Sequence, residues 1–287
     1  MSHLVDLYGT DVMRRALIEA VMVGVLCGVV GAHVVLRRLS FFTVTVAHGT
    51  FPGVVLAAII GLAELVGGLL FVAALVLVIY ATTADRRLET NVVVGVALAG
   101  SFGLGAMLQG TQDGFTRDLA AVLVGSILTV QRSDLVITAL VAIAVLLTLG
   151  ALHKELVLRA FDPHASDALG YPRVLDLLLL LAIAATVVTT VPLVGTMLSV
   201  ALLSVPALSA RLVTRRVGTL LGASAAYGAA SSVIGLTASA EWDVSAGAAI
   251  ALAAAGLFVA TFLATVIVTS VRSCLLHPVT STPTPTS

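Results

Sequence analysis

Apolar stretches long enough to cross a lipid bilayer recur along nearly the whole sequence, and they constrain the fold more than any other feature. A crossing helix needs about 20 predominantly apolar residues. Stretches near that length run over 15–36, 43–62, 65–81, 91–109, 134–152, 174–192, 194–213, 217–238 and 245–270. A water-soluble core cannot absorb so many. Hydrophobic residues are 59% of the 287 and charged residues 10%, against roughly 45–50% apolar and 25% charged in a soluble domain, and mean hydropathy is +1.14. In lipid every backbone N–H and C=O must be satisfied internally, which helices achieve within one segment. The chain therefore reads as all-α: a polytopic integral membrane protein with about eight to nine transmembrane helices. Its membrane domain is expected over 15–272, between an N-terminal segment 1–14 and a disordered C-terminal tail 273–287.

The apolar stretch 119–130 is too short to span and lies between polar patches at 111–118 and 131–134, so it reads as a re-entrant helix covered by protein. The first long run follows Arg14 and Arg15, exceeds signal-peptide length and lacks an Ala-x-Ala-like cleavage site, which makes it a retained membrane helix. Arg37 and Arg38, Arg86 and Arg87, Lys154 and Arg159, Arg215 and Arg216, and Arg272 fall at alternate ends of successive segments. The Lys/Arg excess of cytoplasmic loops places all of these inside. The tail from His277 is rich in Pro and Thr and too polar to fold alone.

Several function classes are disfavoured by what the sequence lacks. Net charge is zero and no Lys/Arg run exceeds two, so nucleic acid is not an expected partner. Cys27 and Cys274 are too far apart in sequence to suggest a framework or a metal cluster. There is no Gly-x-x-x-x-Gly-Lys-Ser/Thr loop, so any ATP-driven cycle needs a separate subunit, and no His-Glu-x-x-His or embedded Asp pair suggests an intramembrane protease. Gly24 with Gly28, and Gly218 with Gly222, have the small-residue spacing that lets helices approach closely in lipid.

Two segments carry possible chemistry. From Phe161 to Pro172 the sequence holds a full set of helix start and stop signals: Asp162 to cap, Pro163 at the first position, Gly170 at the C-terminal cap and Pro172 beyond. The result is a cytoplasmic helix of about seven residues, roughly 10 Å long and marginal by itself, held either by packing on its own membrane helices or by docking on another protein. The second segment runs from Arg37 to Gly53 and places His48 among apolar neighbours; His33 lies similarly within the first span. Each imidazole is a candidate ligand for a zinc-like ion, the bland alternative being a hydrogen bond to a hydroxyl or carbonyl. Glu19, Glu64, Asp134 and Asp176 sit near span ends, where solvation or pairing accounts for them.

Four stretches together resemble the membrane permease family of ABC importers for zinc, manganese and iron ions. They are Val34 to Ser40 leading to His48 and Pro52-Gly53; Glu89-Thr90 entering a Gly-rich span; Phe161-Asp162-Pro163 to Leu169-Gly170; and Val205-Pro206-Ala207 to Arg211-Leu212. The resemblance covers about Arg14 to Ala264. It implies a homodimeric, non-enzymatic permease in a prokaryotic plasma membrane, working by alternating access. It further implies an ABC ATPase on the cytoplasmic face, an extracytoplasmic metal-binding protein delivering the ion, and no cofactor beyond the transported cargo. Asp162, Pro163, His164, Asp167, Leu169 and Gly170 then resemble the helix that couples to the ATPase, with His164 where the family commonly has Glu. The family usually has Gly-Asp-Ala-x-x-His entering the second span, an acid and a histidine on one helical face; here Val44 replaces the acid. Loss of a hard oxygen ligand disfavours manganese more than zinc, so zinc is the expected cargo, with His48 and His33 as candidate metal residues. Permeation of a metal chelate or cobalamin-like solute, or a non-transporting scaffold, are the alternatives.

Overall fold

A computed structural model describes residues 11–83, 88–111 and 130–276. The helices are α1 (Asp11–Leu36), α2 (Ser40–Ile60), α3 (Glu64–Thr83), α4 (Thr90–Gly110), α5 (Arg132–Ala151), α6 (His153–Phe161), α7 (Pro163–Ala168), α8 (Val174–Val194), α9 (Thr196–Val213), α10 (Val217–Trp242) and α11 (Ala246–Leu276). Among the described residues, 9 helices are long and apolar enough to cross a membrane, and they coincide with the nine apolar stretches to within a few residues at most ends. The re-entrant segment at 119–130, apart from Val130, lies outside the described residues, as do Arg86, Arg87 and the tail from His277.

Where the helices overrun the apolar stretches, local polar groups carry the extra turn. At the end of α3, the Thr82 and Thr83 hydroxyls donate to the carbonyls of Val78 and Ile79 at 2.7 and 2.8 Å. The same device serves the interior: Thr50 donates to Val46 at 3.0 Å, Thr186 to Ala182 at 2.9 Å and Ser199 to Gly195 at 2.8 Å. A hydroxyl bonded to its own helix can be buried without a partner from another element.

Helix α1 is the axis of the bundle. It packs along α10 and α9 and meets α5 and α8, while α2 packs on α3, α4, α8 and α9. Glycines set the closest crossing. A methyl on Gly24 would lie 2.5 Å from the carbonyl oxygen of Gly228, and one on Gly28 2.3 Å from that of Ser224, so α1 and α10 touch backbone to backbone. Gly31 does the same against Leu203 of α9, at 1.9 Å. The expectation for Gly24 and Gly28 holds, but that for Gly218 and Gly222 does not: nothing lies within 4 Å of a methyl on either. The seam of α10 runs through Ser224, Gly228 and Ser232, and Gly222, two residues from Ser224, is turned about 200° away from it.

Connections at one end of the bundle are tight. Arg38 has φ of 56° in the turn from α1 to α2, and Leu39 N–H bonds Val34 O at 2.9 Å. At the opposite end Gly195, with φ 88°, is the single residue between α8 and α9.

Candidate metal site and candidate coupling helix

His48 lies two turns into α2 and is half-buried. Its Nδ1 is 3.0 Å from the carbonyl oxygen of Val44, one turn earlier. A carbonyl only accepts, so this contact assigns the proton to Nδ1 and leaves the Nε2 lone pair free. That arrangement is typical of metal-ligating histidines, which donate their other N–H to a carbonyl or carboxylate. Position 44 thus contributes through its backbone while its side chain offers no ligand. The ring of Phe102, on α4, lies 6.0 Å from that of His48, centroid to centroid.

His33 sits elsewhere. It is in the last turn of α1, 2% exposed, and its ring neighbour is His153, at the start of α6, with centroids 6.4 Å apart and planes at 82°. Its Nε2 is buried without a hydrogen-bond partner. The structure therefore pairs His33 with His153 and His48 with Phe102. Among the described residues no three His, Cys, Asp or Glu side chains converge to hold an ion.

The capped segment forms as its signals dictate. Asp162 Oδ1 accepts the Ala165 N–H at 2.9 Å, Pro163 occupies the first turn, and α7 runs for 6 residues. Gly170, with φ of 80°, ends it. Its N–H bonds Asp167 O at 3.1 Å and the Tyr171 N–H bonds Ser166 O at 3.1 Å, the paired bonds of a Schellman motif. Asp162, Pro163, His164, Asp167, Leu169 and Gly170 are all exposed, and only Ser166 is buried. Phe161 and Leu169 expose 65% and 68% of their surface, apolar area that a six-residue helix cannot bury on itself.

Of the two outcomes open for Asp176, solvation or pairing, the structure shows pairing. Arg37, Arg159 and Asp176 form a chain of ion pairs beside this helix. Arg37 Nη1 donates to Asp176 Oδ1, and Arg159 Nε donates to Asp176 Oδ2 at 2.7 Å. Arg159 Nη1 donates to Asp167 Oδ1 at 2.9 Å and to Ser166 Oγ at 3.3 Å. Burial opposes the charge on Arg159, but its bonds to Asp176 and Asp167 outweigh burial and hold the guanidinium pKa above its ordinary value. It is a cation at every physiological pH. The sequence signal was the acid three residues into a span beginning at Val174, which needs a cation once it is not fully hydrated.

Comparison with known proteins adds the lineage. Residues 9–265 match the family model described as the ABC 3 transport family. The chain is 32% identical over 251 residues to the manganese transport system membrane protein MntC of Halalkalibacterium halodurans, covering 87% of this chain and 86% of that protein. It is 33% identical over 251 residues to the manganese import system permease protein ScaB of Streptococcus gordonii, covering 87% and 90%. The solved structure of PsaBC from Streptococcus pneumoniae in complex with Fab superposes with a TM-score of 0.81 at 32% identity, covering 91% of this chain and 95% of that one. With its spans, their order and its capped helix in place, this chain belongs to the ABC 3 transport family.

Proposed function

We propose that this chain is the permease subunit of an ATP-driven importer of divalent transition-metal ions in a bacterial membrane, with zinc as the favoured cargo and His48 as the residue that meets it. The observation that carries the reading is His48 itself: a half-buried imidazole in a membrane helix whose Nδ1 is committed to the Val44 carbonyl, so that Nε2 faces the ligand role. Relatives named as manganese transport proteins support a metal-ion cargo. The choice of zinc rests on Val44, because a site without the carboxylate is poorer in hard oxygen and suits an imidazole-binding ion.

The chain performs no covalent chemistry in this reading. An ATPase docks on the exposed face of α7 around Phe161 and Leu169, a binding protein delivers the ion at the opposite end, and two permeases enclose the pathway. ATP binding then shifts α7 and switches the side on which His48 is open. The test is ATP-driven uptake of zinc and of manganese into vesicles containing the full complex. His48→Ala should abolish zinc uptake, and Val44→Asp, which restores an acid one turn away, should raise manganese uptake relative to zinc. Unchanged uptake in His48→Ala removes His48 from the pathway; an unchanged metal ratio in Val44→Asp removes the argument for zinc.

A further inference from the structure

Positions separated by as many as 139 residues meet in the charge cluster at the α7 end of the bundle. Arg37 stands just past α1, Asp176 is in the first turn of α8, Arg159 is in the last turn of α6, and Asp167 lies within α7. The two carboxylate oxygens of Asp176 are divided between the arginines, Oδ1 to Arg37 and Oδ2 to Arg159, so the aspartate bridges rather than pairs. Arg159 bridges in turn, its Nε to α8 and its Nη1 to α7. Arg37 also donates from Nη2 to the Leu156 carbonyl of α6 at 3.1 Å.

Three properties set this cluster apart from surface ion pairs, which contribute little because exposed side chains are free to move and screened by salt. The Arg159 and Arg37 side chains are only 7% and 12% exposed, and each is fixed to more than one partner. A guanidinium held through a planar fork in two directions behaves as a spacer of set length. In addition, α7 packs chiefly on α6, and α6 makes only light contact with the membrane helices. The charge chain is thus a principal connection from α7 to the spans.

Its far end is well placed. Arg37 belongs to the tight turn in which Arg38 has φ of 56° and Leu39 N–H returns to Val34 O. Helix α2 starts at Ser40 immediately afterwards, and His48 follows about 12 Å along it at 1.5 Å per residue. A displacement of α7 therefore has a continuous route through Arg159, Asp176 and Arg37 to the helix that carries His48.

We propose that Arg159 and Asp176 are positioning residues that convert displacement of α7 into movement of α8, α1 and α2, so that breaking their link uncouples ATP hydrolysis from ion movement. This rests on the function proposed above. The experiment measures zinc ions taken up per ATP hydrolysed by the complete importer in vesicles, together with co-purification of the ATPase and its basal hydrolysis, for wild type, Arg159→Gln and Arg37→Gln. Arg159→Gln is expected to keep the ATPase bound and hydrolysing while ions per ATP fall about tenfold, inside the roughly 5–150-fold range of couplings between sites. Arg37→Gln, which leaves the Arg159 contacts to α7 and α8 in place, should lower the same ratio. If Arg159→Gln does not assemble, Arg37→Gln decides alone. An unchanged ratio in an assembled variant overturns the inference, as does a loss of uptake matched by an equal loss of hydrolysis. Should the wild-type complex move no divalent ion on ATP, the proposed function fails first, and the two failures are distinguishable.

Discussion

Substituting Gly228 by alanine tests the central seam of the bundle. The added methyl would stand 2.0 Å from the Gly24 carbonyl oxygen and 2.8 Å from its carbonyl carbon. An ordinary carbon-to-oxygen approach is about 3.3–3.6 Å, so α1 and α10 would have to separate locally by about 1.3 Å. No rotamer relieves this, because both opposing groups are backbone. Overpacking costs about 1–3 kcal/mol, and a contact this close to rigid atoms belongs at the upper end. About 3 kcal/mol corresponds to roughly a hundredfold in the folded-to-unfolded ratio. Gly222→Ala on the same helix is the internal control: its methyl meets nothing within 4 Å, and replacing a mid-helix glycine gains up to about 1 kcal/mol. Cys27, buried on α1 between Gly24 and Gly28, provides the assay. In a Cys274→Ser background its labelling by a maleimide during SDS titration reports opening of the seam. Gly228→Ala should label at distinctly lower SDS than wild type, and Gly222→Ala at the same or higher SDS. Coincident curves for the two variants would refute the close approach.

Two further outcomes follow from the same geometry. Cys27 is fully buried, so in detergent without SDS the wild-type seam should give no maleimide adduct at this thiol after removal of Cys274; rapid labelling would mean that α1 is open to solvent. Asp162→Ala removes the side-chain cap of α7, the bond to Ala165 N–H, at a cost of about 1 kcal/mol. Amide exchange over 164–168 should accelerate roughly fivefold while the spans keep their protection, and an unchanged exchange rate would show that packing on α6, not the cap, holds the helix.

The spans were readable because lipid imposes one rule on every crossing segment: long, apolar and internally hydrogen-bonded. The capped helix was readable because its signals act locally, Asp162 on Ala165 and Gly170 on the chain that follows. Glycine spacing was readable only in part. Gly24 and Gly28 share a face with α10, whereas Gly218 and Gly222 have the same separation and face nothing. Spacing says which residues share a stripe on a helix, but the rotation of that helix in the bundle decides whether the stripe meets a neighbour, and rotation is set by all its contacts at once.

The charge cluster was invisible for a related reason. Read alone, Asp176 is an acid near a span end that solvation or pairing accounts for, and Arg37 and Arg159 are basic residues of cytoplasmic loops; none of them names its partner. Only the fold shows that α6 lays Arg159 against both α7 and α8 and that the α1 turn brings Arg37 to the same carboxylate. The same logic bears on His33. Its position within an apolar run invited grouping with His48, since both are imidazoles in adjacent spans. But α1 and α2 are joined by a short turn, and His33 lies three residues before the end of α1 while His48 lies eight beyond the start of α2. Antiparallel helices align residues equidistant from their turn, so the two histidines stand at different depths, about 7.5 Å apart along the axis at 1.5 Å per residue. The depth of His33 is instead shared by His153 at the start of α6, so under the function proposed above His48 would draw any further ligands from residues at its own level.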